Sequence, residues 1–355
     1  MRKIIMAIDS FKGCLSSVEA NRAAAEGVRS VWPRAEVVEV PVSDGGEGFL
    51  EAFRVAIGGN LVTVPVKDPL GRCISARYLL KGRTAVVEVA EAIGLMLLSP
   101  RERNPMTASS YGVGQLVADA FKRGARHIIV GLGGSATSDA GRGMLQALTD
   151  TFGSSLEALR KVRFTVATDV DNPLCGEHGA ACVYGPQKGA TPEMVRLLDD
   201  AAREFAEASA HRMGYDRSGM KGAGAAGGLG YAFLQYLDAE CIPGAELLLD
   251  AIGFDALVTD ACLVITGEGA ADRQTLMGKL PMHILQHAGG VPVCLIAGRI
   301  DDREQLLQAG FSLAECINPP GLALEEATRM DVAQENIRLT VRRVSGALME
   351  STDTR

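Results

Sequence analysis

Residues 3–48 read KIIMAIDSFKGCLSSVEANRAAAEGVRSVWPRAEVVEVPVSDGGEG. The apolar run 3–8 predicts a buried strand, and Ser16 with Glu19 forms a capping-box pattern that predicts a helix after it. The run 36–42 predicts the next strand, and a glycine-rich turn follows it. A strand, a helix and a strand in this order favour a parallel sheet.

The same alternation continues along the chain. Further strands are predicted near 61–66, 84–90, 127–132, 163–168, 262–266, 292–297 and 311–317, with helices between most of them and a long amphipathic helix at the end. The middle of the chain is richer in glycine and irregular turns than either end. We therefore predict a mostly parallel sheet in one α/β domain, residues 1–66 plus 260–355, with a second α/β domain, residues 67–259, inserted into it.

The composition excludes several classes of protein. The chain has 355 residues, 36 Lys and Arg against 43 Asp and Glu, a net charge of −7 and 5% aromatic residues. An acidic chain without a basic block and with few aromatic residues is a poor nucleic-acid binder. Eight cysteines without a CxxC pair indicate reduced thiols. The N-terminal apolar run is too short for a signal peptide, and no run is long enough to span a membrane. We expect a cytoplasmic protein with no nucleic-acid or membrane partner, and a homodimer stays open.

Polar, glycine-rich segments follow several of the predicted strands. They are DSFKG at 9–13, SDGGEG at 43–48, the stretch 131–141, and TGEGAAD at 266–272. Ligands bind at the carboxyl ends of the strands in open parallel sheets, and helix N-termini there offer N–H groups to anions. Carboxylates beside such turns indicate a divalent cation between them and a phosphate. Any one segment alone would be ordinary turn chemistry, but together they favour a binding site.

Other polar residues add chemistry to these turns. Asp169 and Asn172 follow a predicted strand, where they could ligate Mg²⁺ or position a hydroxyl; an Asx turn is an equal alternative. Lys188 places a cation on a tight loop. Lys279 begins a predicted helix within a dozen residues of Glu268 and can reach an anion.

Standard nucleotide motifs are mostly absent. There is no GxxxxGK[ST] segment and no protein-kinase HRD or DFG. Residues 131–136 match GxGxxA after a strand, and Asp150 has roughly the spacing of a ribose-binding acid. An NAD-dependent hydroxyacid dehydrogenase therefore stays a weaker alternative. The residues by themselves indicate a two-domain phosphoryl-transfer enzyme acting on a small acidic substrate.

Seven motifs occur in one order along nearly the whole chain. They are DSFK at 9–12, DGGEG at 44–48, GGSAT at 133–137 with Asp139, DVDNPL at 169–174, GPQKGA at 185–190, GAAGG at 224–228, and ITGEG at 265–269 with Asp272, Gln274, Gly278 and Lys279. In these motifs the chain resembles the bacterial glycerate kinases of the first type.

The resemblance implies phosphorylation of D-glycerate with ATP and Mg²⁺, with 2-phosphoglycerate as the favoured product. It also implies a flavodoxin- or Rossmann-like parallel-sheet domain with a second α/β domain inserted, and an active-site cleft between them. A kinase for another small hydroxyacid is the alternative, and so is a non-catalytic sensor of small organic acids.

Transfer to a glycerate hydroxyl needs a carboxylate to accept its proton and cations beside the phosphates. We expect Asp44 and Asp169 to be catalytic, although which carboxylate is the base stays open. Lys12 and Lys279 are the expected catalytic cations. The expected metal ligands are Glu268 and Asp272. The expected substrate- and nucleotide-binding residues are Asp9, Ser10, Gly45, Gly46, Glu47, Gly133, Gly134, Ser135, Asp139, Asn172, Lys188 and Gln274.

The chain departs from the family pattern at a few positions. The Arg-Ile pair expected before Asp272 is Ala270-Ala271 here, and Arg273 replaces a usual serine. Arg273 is the candidate replacement for the missing arginine. His283 stands where the family has a glycine.

Overall fold

The computed structural model describes residues 2–43, 45, 46, 48–154 and 156–352, with side chains to residue 347. The strands are β1 (Lys3–Ile8), β2 (Glu36–Glu39), β3 (Asn60–Lys67), β4 (Cys73–Lys81), β5 (Thr84–Glu88), β6 (His127–Gly131), β7 (Arg163–Ala167), β8 (Glu240–Ile242), β9 (Leu263–Ala271), β10 (Val293–Ile300) and β11 (Leu313–Cys316).

The helices are α1 (Ser17–Val31), α2 (Phe49–Ile57), α3 (Ala90–Ile93), α4 (Tyr111–Lys122), α5 (Arg142–Phe152), α6 (Ala180–Tyr184), α7 (Pro192–Met213), α8 (Ala225–Leu237), α9 (Gly244–Ile252), α10 (Phe254–Val258), α11 (Arg273–Leu276), α12 (Leu280–His287), α13 (Arg303–Ala309), α14 (Leu324–Ala327) and α15 (Met330–Thr352). None of these helices is long and apolar enough to cross a membrane.

Five parallel strands form the first sheet in the order β11-β10-β9-β1-β2. Ile5 of β1 lies opposite Val38 on one side and Val264 on the other. Residues 4–8 are all buried, as expected for a parallel strand covered on both faces. Helix α1 begins after the predicted cap Ser16 and packs on α15 at Gly27, where a Cβ would lie 2.5 Å from the backbone oxygen of Arg338. This close approach explains the glycine.

The second sheet has six strands in the order β3-β4-β5-β6-β7-β8. Strands β5 to β8 are parallel, whereas β4 pairs antiparallel with both β3 and β5. Its core contains Tyr78, Val130, Phe164 and Phe233, all buried. The carboxyl ends of the parallel strands β5 to β8 therefore lie on the same side of this sheet.

The structure confirms an α/β fold with parallel sheets. The mostly parallel arrangement is confirmed, because among the described strands only β4 pairs antiparallel, with β3 and β5. Sequence reasoning missed β4 and β8. Strand β4 alternates exposed and buried residues and includes Arg77, so it has no continuous apolar run. Strand β8 has only three residues.

The chain divides into two compact units. The first unit is Met1–Asp44 with Ala245–Arg355, and the second unit is Gly45–Gly244. Both boundaries come earlier along the chain than the predicted 66/67 and 259/260. The predicted strand near 61–66 is β3, which pairs with β4 in the second sheet and so belongs to the second unit. As domains that fold by themselves, the two segments stay a prediction.

The segment 266–272 differs from the predicted turn. Strand β9 continues through Ala271, and the chain turns only at Asp272. Gly267 permits the pairing with β10, because a Cβ there would lie 2.3 Å from the backbone oxygen of Ile296. Gly267 therefore allows close strand pairing and is not part of a turn. Glu268 lies within β9, so its side chain projects from a strand.

Candidate active site

The predicted site residues fall into both units. The first unit carries Asp9, Ser10, Lys12, Glu268, Asp272, Gln274 and Lys279. The second unit carries Gly45, Gly46, Gly133, Gly134, Ser135, Asp139, Asn172, Asp169 and Lys188. Asp44 and Glu47 lie outside the described residues.

A cavity of about 400 Å³ lies in the first unit at the carboxyl-terminal side of its sheet. Its lining includes Asp9 after β1, Glu268 in β9, Arg299 in β10 and Asn318 after β11. Two predicted cations, Lys12 and Lys279, also line it. Predicted residues from distant parts of the chain are thus brought to one cavity by neighbouring parallel strands, as expected for this fold class.

Glu268 is, like Asp9, a buried acid that lines this cavity. Its Oε1 accepts a hydrogen bond from Thr275 Oγ1 at 2.6 Å, and its Oε2 lies 3.3 Å from Lys279 Nζ. Burial raises the pKa of Glu268, while the Thr275 hydroxyl and the Lys279 charge limit the rise. The carboxylate is therefore held by one hydroxyl and one ammonium in a site largely shielded from water.

Lys279 is the N-cap residue of α12. Its ammonium lies 3.3 Å from Glu268 Oε2 and 3.9 Å from Asp272 Oδ1, and the side chain stays 33% exposed. Gly278 before it has φ +102°, a conformation that favours glycine. The lysine is thus both ion-paired and within reach of a ligand in the cavity, as its sequence position suggested.

Asp272 and Gln274 have a different setting. Asp272 Oδ1 accepts a hydrogen bond from the Gln274 backbone N–H at 2.7 Å and caps the short helix α11. Neither residue is part of the cavity lining. The described hydrogen bonds of Asp272 are local helix capping, which sequence reasoning did not separate from ligand binding. Its only other described contact is the ammonium of Lys279 at 3.9 Å.

The candidate replacement Arg273 does not line the cavity. Its Nε lies 3.4 Å from Asp302 Oδ2 and its side chain is exposed. Arg299 lines the cavity instead and pairs with Asp301 at 3.1 Å. Sequence reasoning missed Arg299, because its only signal was a position just after the predicted strand 292–297.

In the second unit, the loop after β6 packs against the segment 45–46. The Gly133 N–H donates to the Gly45 oxygen at 3.1 Å, and a Cβ on Gly133 would lie 2.3 Å from Gly46 Cα. Glycine at 133 is therefore required by backbone contact. Gly134, with φ +74°, continues the turn towards Ser135.

Lys188 is a buried cation that contacts the loop after β6. Its Nζ donates to Ser135 Oγ at 3.0 Å and to the Thr137 backbone oxygen at 2.7 Å. Burial lowers the pKa of Lys188 to about 8, while the nearby charge of Asp139 acts in the opposite direction. Lys188 therefore holds the loop through two hydrogen bonds.

Asp139 accepts hydrogen bonds from residues at the N-termini of α4 and α5 in the second unit. Its carboxylate accepts from the Ser110 N–H and Oγ, both at 2.8 Å, and from the N–H groups of Gly141 and Gly143, both at 3.0 Å. These four bonds use most of the acceptor capacity of a carboxylate. They give Asp139 a clear role in fixing the loop between β6 and α5.

Asp169 and Asn172 follow β7. Asp169 is exposed, and its Oδ1 accepts from the Gly244 N–H at 3.1 Å. The Asn172 amide donates to the His178 oxygen at 2.8 Å and accepts from the Tyr184 hydroxyl at 2.6 Å. Asn172 thus fixes the turn, while Asp169 is an exposed residue.

Glu88 is a further buried acid that sequence reasoning missed. It ends β5 beside Gly131 of β6, and its Oε2 accepts from the Leu50 N–H at 2.9 Å. The available signal was a carboxylate ending an apolar strand, the same signal that identified Asp169. Glu88 therefore lies at the carboxyl end of its strand, on the same side of the sheet as the glycine-rich loop that follows β6.

The GxGxxA segment does not have the geometry of a dinucleotide site. Helix α5 begins only at Arg142, six residues after Ala136, and Asp150 lies within that helix. A dinucleotide fingerprint opens its helix directly and places the acid at the end of the next strand. The dehydrogenase alternative therefore loses its structural basis.

The acids of the first cavity have the hard oxygen donors that Mg²⁺ prefers. Asp9 and Glu268 both line it, whereas Asp272 does not. Within the described part of the chain, no three His, Cys, Asp or Glu side chains form a group that could hold a metal ion. Mg²⁺ commonly takes one or two carboxylates together with substrate phosphates. The donors fit an ion that arrives with a phosphate ligand.

Comparison with known proteins identifies the family. The model of the glycerate kinase family matches residues 4–157 and 151–349. A glycerate kinase of Halalkalibacterium halodurans is 42% identical, over 92% of this chain and 93% of its own. The glycerate 2-kinase of Escherichia coli K12 is 37% identical, over 98% of each chain.

A solved structure agrees with these sequence relatives. A crystal structure described as glycerate kinase 2 from Salmonella typhimurium LT2 superposes with a TM-score of 0.84, at 37% identity and over 99% of each chain. The resemblance indicated by the seven motifs is confirmed, and this chain belongs to the glycerate kinase family.

Proposed function

We propose that this protein is a glycerate kinase that transfers the γ-phosphoryl group of ATP to D-glycerate in the presence of Mg²⁺, with 2-phosphoglycerate as the favoured product. Family membership supports the reaction class. The observation that carries the proposal is the pairing of buried Glu268 with partly exposed Lys279 in a cavity also lined by Lys12 and Asp9. Phosphoryl transfer depends on such positioned charges.

Each group has a defined task in the proposed reaction. Asp169 accepts the proton of the attacking hydroxyl, as an exposed carboxylate at a strand end can do. Lys12 and Lys279 offset negative charge on the phosphates. Mg²⁺, held by Asp9 and Glu268, would supply further charge neutralisation when bound.

The reaction itself is the first test. We expect ADP release to require D-glycerate and Mg²⁺ together, and phosphorus NMR of the product to show the resonance of 2-phosphoglycerate. A resonance of 3-phosphoglycerate would move the transfer to the other hydroxyl. ADP release at the same rate without glycerate would refute the kinase proposal, and a change in nicotinamide absorbance with NAD and glycerate would favour the dehydrogenase.

Lys188 is proposed to hold the loop 133–139 and to contribute its charge to an anion there. Because its pKa is lowered to about 8, kcat/KM should fall above that pH, by about tenfold per pH unit once the neutral form dominates. Lys188→Met should be less active and should lack this alkaline limb. Lys221→Met is the control, since Lys221 is exposed and pairs with Asp171.

The lowered pKa of Lys188 also makes the stability of the folded protein depend on pH. Below about pH 8 Lys188 is protonated in both the folded and the unfolded chain; between there and the ordinary lysine pKa of 10.5 the folded chain binds fewer protons. The stability of the native protein relative to Lys188→Met should therefore rise over this interval. A pH-independent difference in melting temperature, together with an unchanged alkaline limb, would contradict the assignment.

A further inference from the structure

We propose that the nucleoside triphosphate of this reaction binds in the cavity of the first unit, with its base against the apolar wall containing Phe11, Ile317 and Leu324 and its phosphates beside Lys12 and Lys279. This assignment rests on the proposed function. It goes beyond it by stating which of the two substrates the cavity binds: the nucleotide and not the small hydroxyacid.

The topology of the first sheet is the first argument. From β1 the chain steps to β2 on one side, whereas β9, β10 and β11 follow one another on the other side. The order of the strands therefore reverses between β1 and β9. Open parallel sheets bind nucleotides in the crevice at such a reversal. Asp9 and Ser10 after β1, and Glu268 and Gly269 in β9, all line the cavity.

The size of the cavity is the second argument. Its volume is about 400 Å³. Pockets of roughly 300–1,000 Å³ enclose ligands of drug size. Glycerate is far smaller than such ligands, so it would leave most of the cavity to water, whereas a nucleotide is large enough to fill it.

The chemistry of the wall is the third argument. Phe11 and Ile317 contribute to the apolar core of the first unit and reach the cavity. Leu324, on the short helix α14, also lines it and is 78% exposed. A base can cover this apolar surface and gain from removing it from water. Glycerate, with a carboxylate and two hydroxyls, has no comparable surface.

The charged residues of the lining are the fourth argument. Lys279 is the N-cap residue of α12, and Lys12 comes from the loop after β1; both line the cavity. A helix N-terminus and two ammonium groups favour phosphate oxygens. The acids Asp9 and Glu268 would repel a bare triphosphate, so binding should require Mg²⁺.

Direct binding tests the assignment without catalysis. The affinity of the non-hydrolysable analogue AMP-PNP with Mg²⁺ is measured by calorimetry, with D-glycerate absent. Leu324→Gln should weaken binding by about tenfold, since it removes the apolar contact. The KM of D-glycerate at saturating ATP should stay within about twofold. Leu307→Gln is the matched control, because Leu307 is an exposed leucine of the same unit outside the cavity.

Protection of a cysteine gives a second readout in the unmodified protein. Cys14 lines the cavity, and exposed Cys73 lies in the second unit. Mg²⁺ with AMP-PNP should slow alkylation of Cys14, measured by mass spectrometry of each peptide, and leave Cys73 unchanged. D-Glycerate alone should protect neither.

The outcomes separate the two proposals. Tight binding of AMP-PNP that Leu324→Gln does not weaken and that leaves Cys14 unprotected would overturn the assignment, while the kinase proposal would stand. Protection of Cys14 by D-glycerate alone would also overturn it and assign the cavity to the acid. No binding of AMP-PNP by the native protein would refute the kinase proposal and the assignment together.

Discussion

Asp169→Asn is expected to lower kcat/KM by at least about 100-fold, the lower range for loss of a general base. Asparagine keeps the shape of the side chain and its carbonyl oxygen, so the hydrogen bond from the Gly244 N–H can remain. The change removes only the negative charge and the ability to take a proton. Steady-state kinetics and the melting temperature are measured together, and the latter should change little.

A neighbouring aspartate provides the control for this variant. Asp171 is exposed on the same turn and pairs with Lys221 at 2.8 Å. Asp171→Asn should keep nearly native kinetics. If Asp169→Asn lost less than tenfold while remaining folded, Asp169 would belong to the structure of the turn, which is the Asx-turn alternative raised by the sequence.

Lys279→Ala is expected to lower kcat by about 10²–10³-fold, as when one preorganised electrostatic contact to the transition state is removed. The reason is the position of its ammonium, 3.3 Å from the buried Glu268 and beside the cavity. Because Lys279 lowers the pKa of Glu268, its loss should raise that pKa further and cost some stability. The double variant Lys279→Ala, Glu268→Gln should regain that stability but not the activity.

The division between kcat and KM identifies the step at which Lys279 acts. A raised KM with native kcat would mean that Lys279 binds the ground state only. Arg273→Ala is the control, since Arg273 is exposed, pairs with Asp302 and lies outside the cavity. Native values of both parameters in Lys279→Ala would remove the lysine from the site, and with it the proposed role of the cavity in catalysis.

Local patterns were sufficient for much of the fold. The apolar run of β1 and the capping box at Ser16 specify strand and helix through interactions between residues close in sequence. The α/β class followed from their repetition. Strand β4 escaped prediction because its residues alternate between the two faces of a sheet, and only pairing with β3 and β5 makes it a strand.

The sequence also identified the chemical residue types of the candidate site, but it did not distinguish ligand contact from structural support. Asp139 and Asn172 illustrate this, because their polar side-chain atoms form hydrogen bonds with the protein itself. Asp272 likewise caps a helix. A carboxylate after a strand has the same local signal whether it binds a ligand or a backbone N–H, so the pattern alone could not separate these roles.

The sequence by itself determined the family, the α/β class and the motifs that carry charge. The tertiary structure alone decided which of them meet: Lys188 reaches Ser135 across 53 residues, and Glu268 meets Lys279 across 11. It also added Arg299 to the cavity and left Arg273 outside. The physical reason is that such contacts depend on how strands and helices pack, since packing brings together side chains that no local pattern relates.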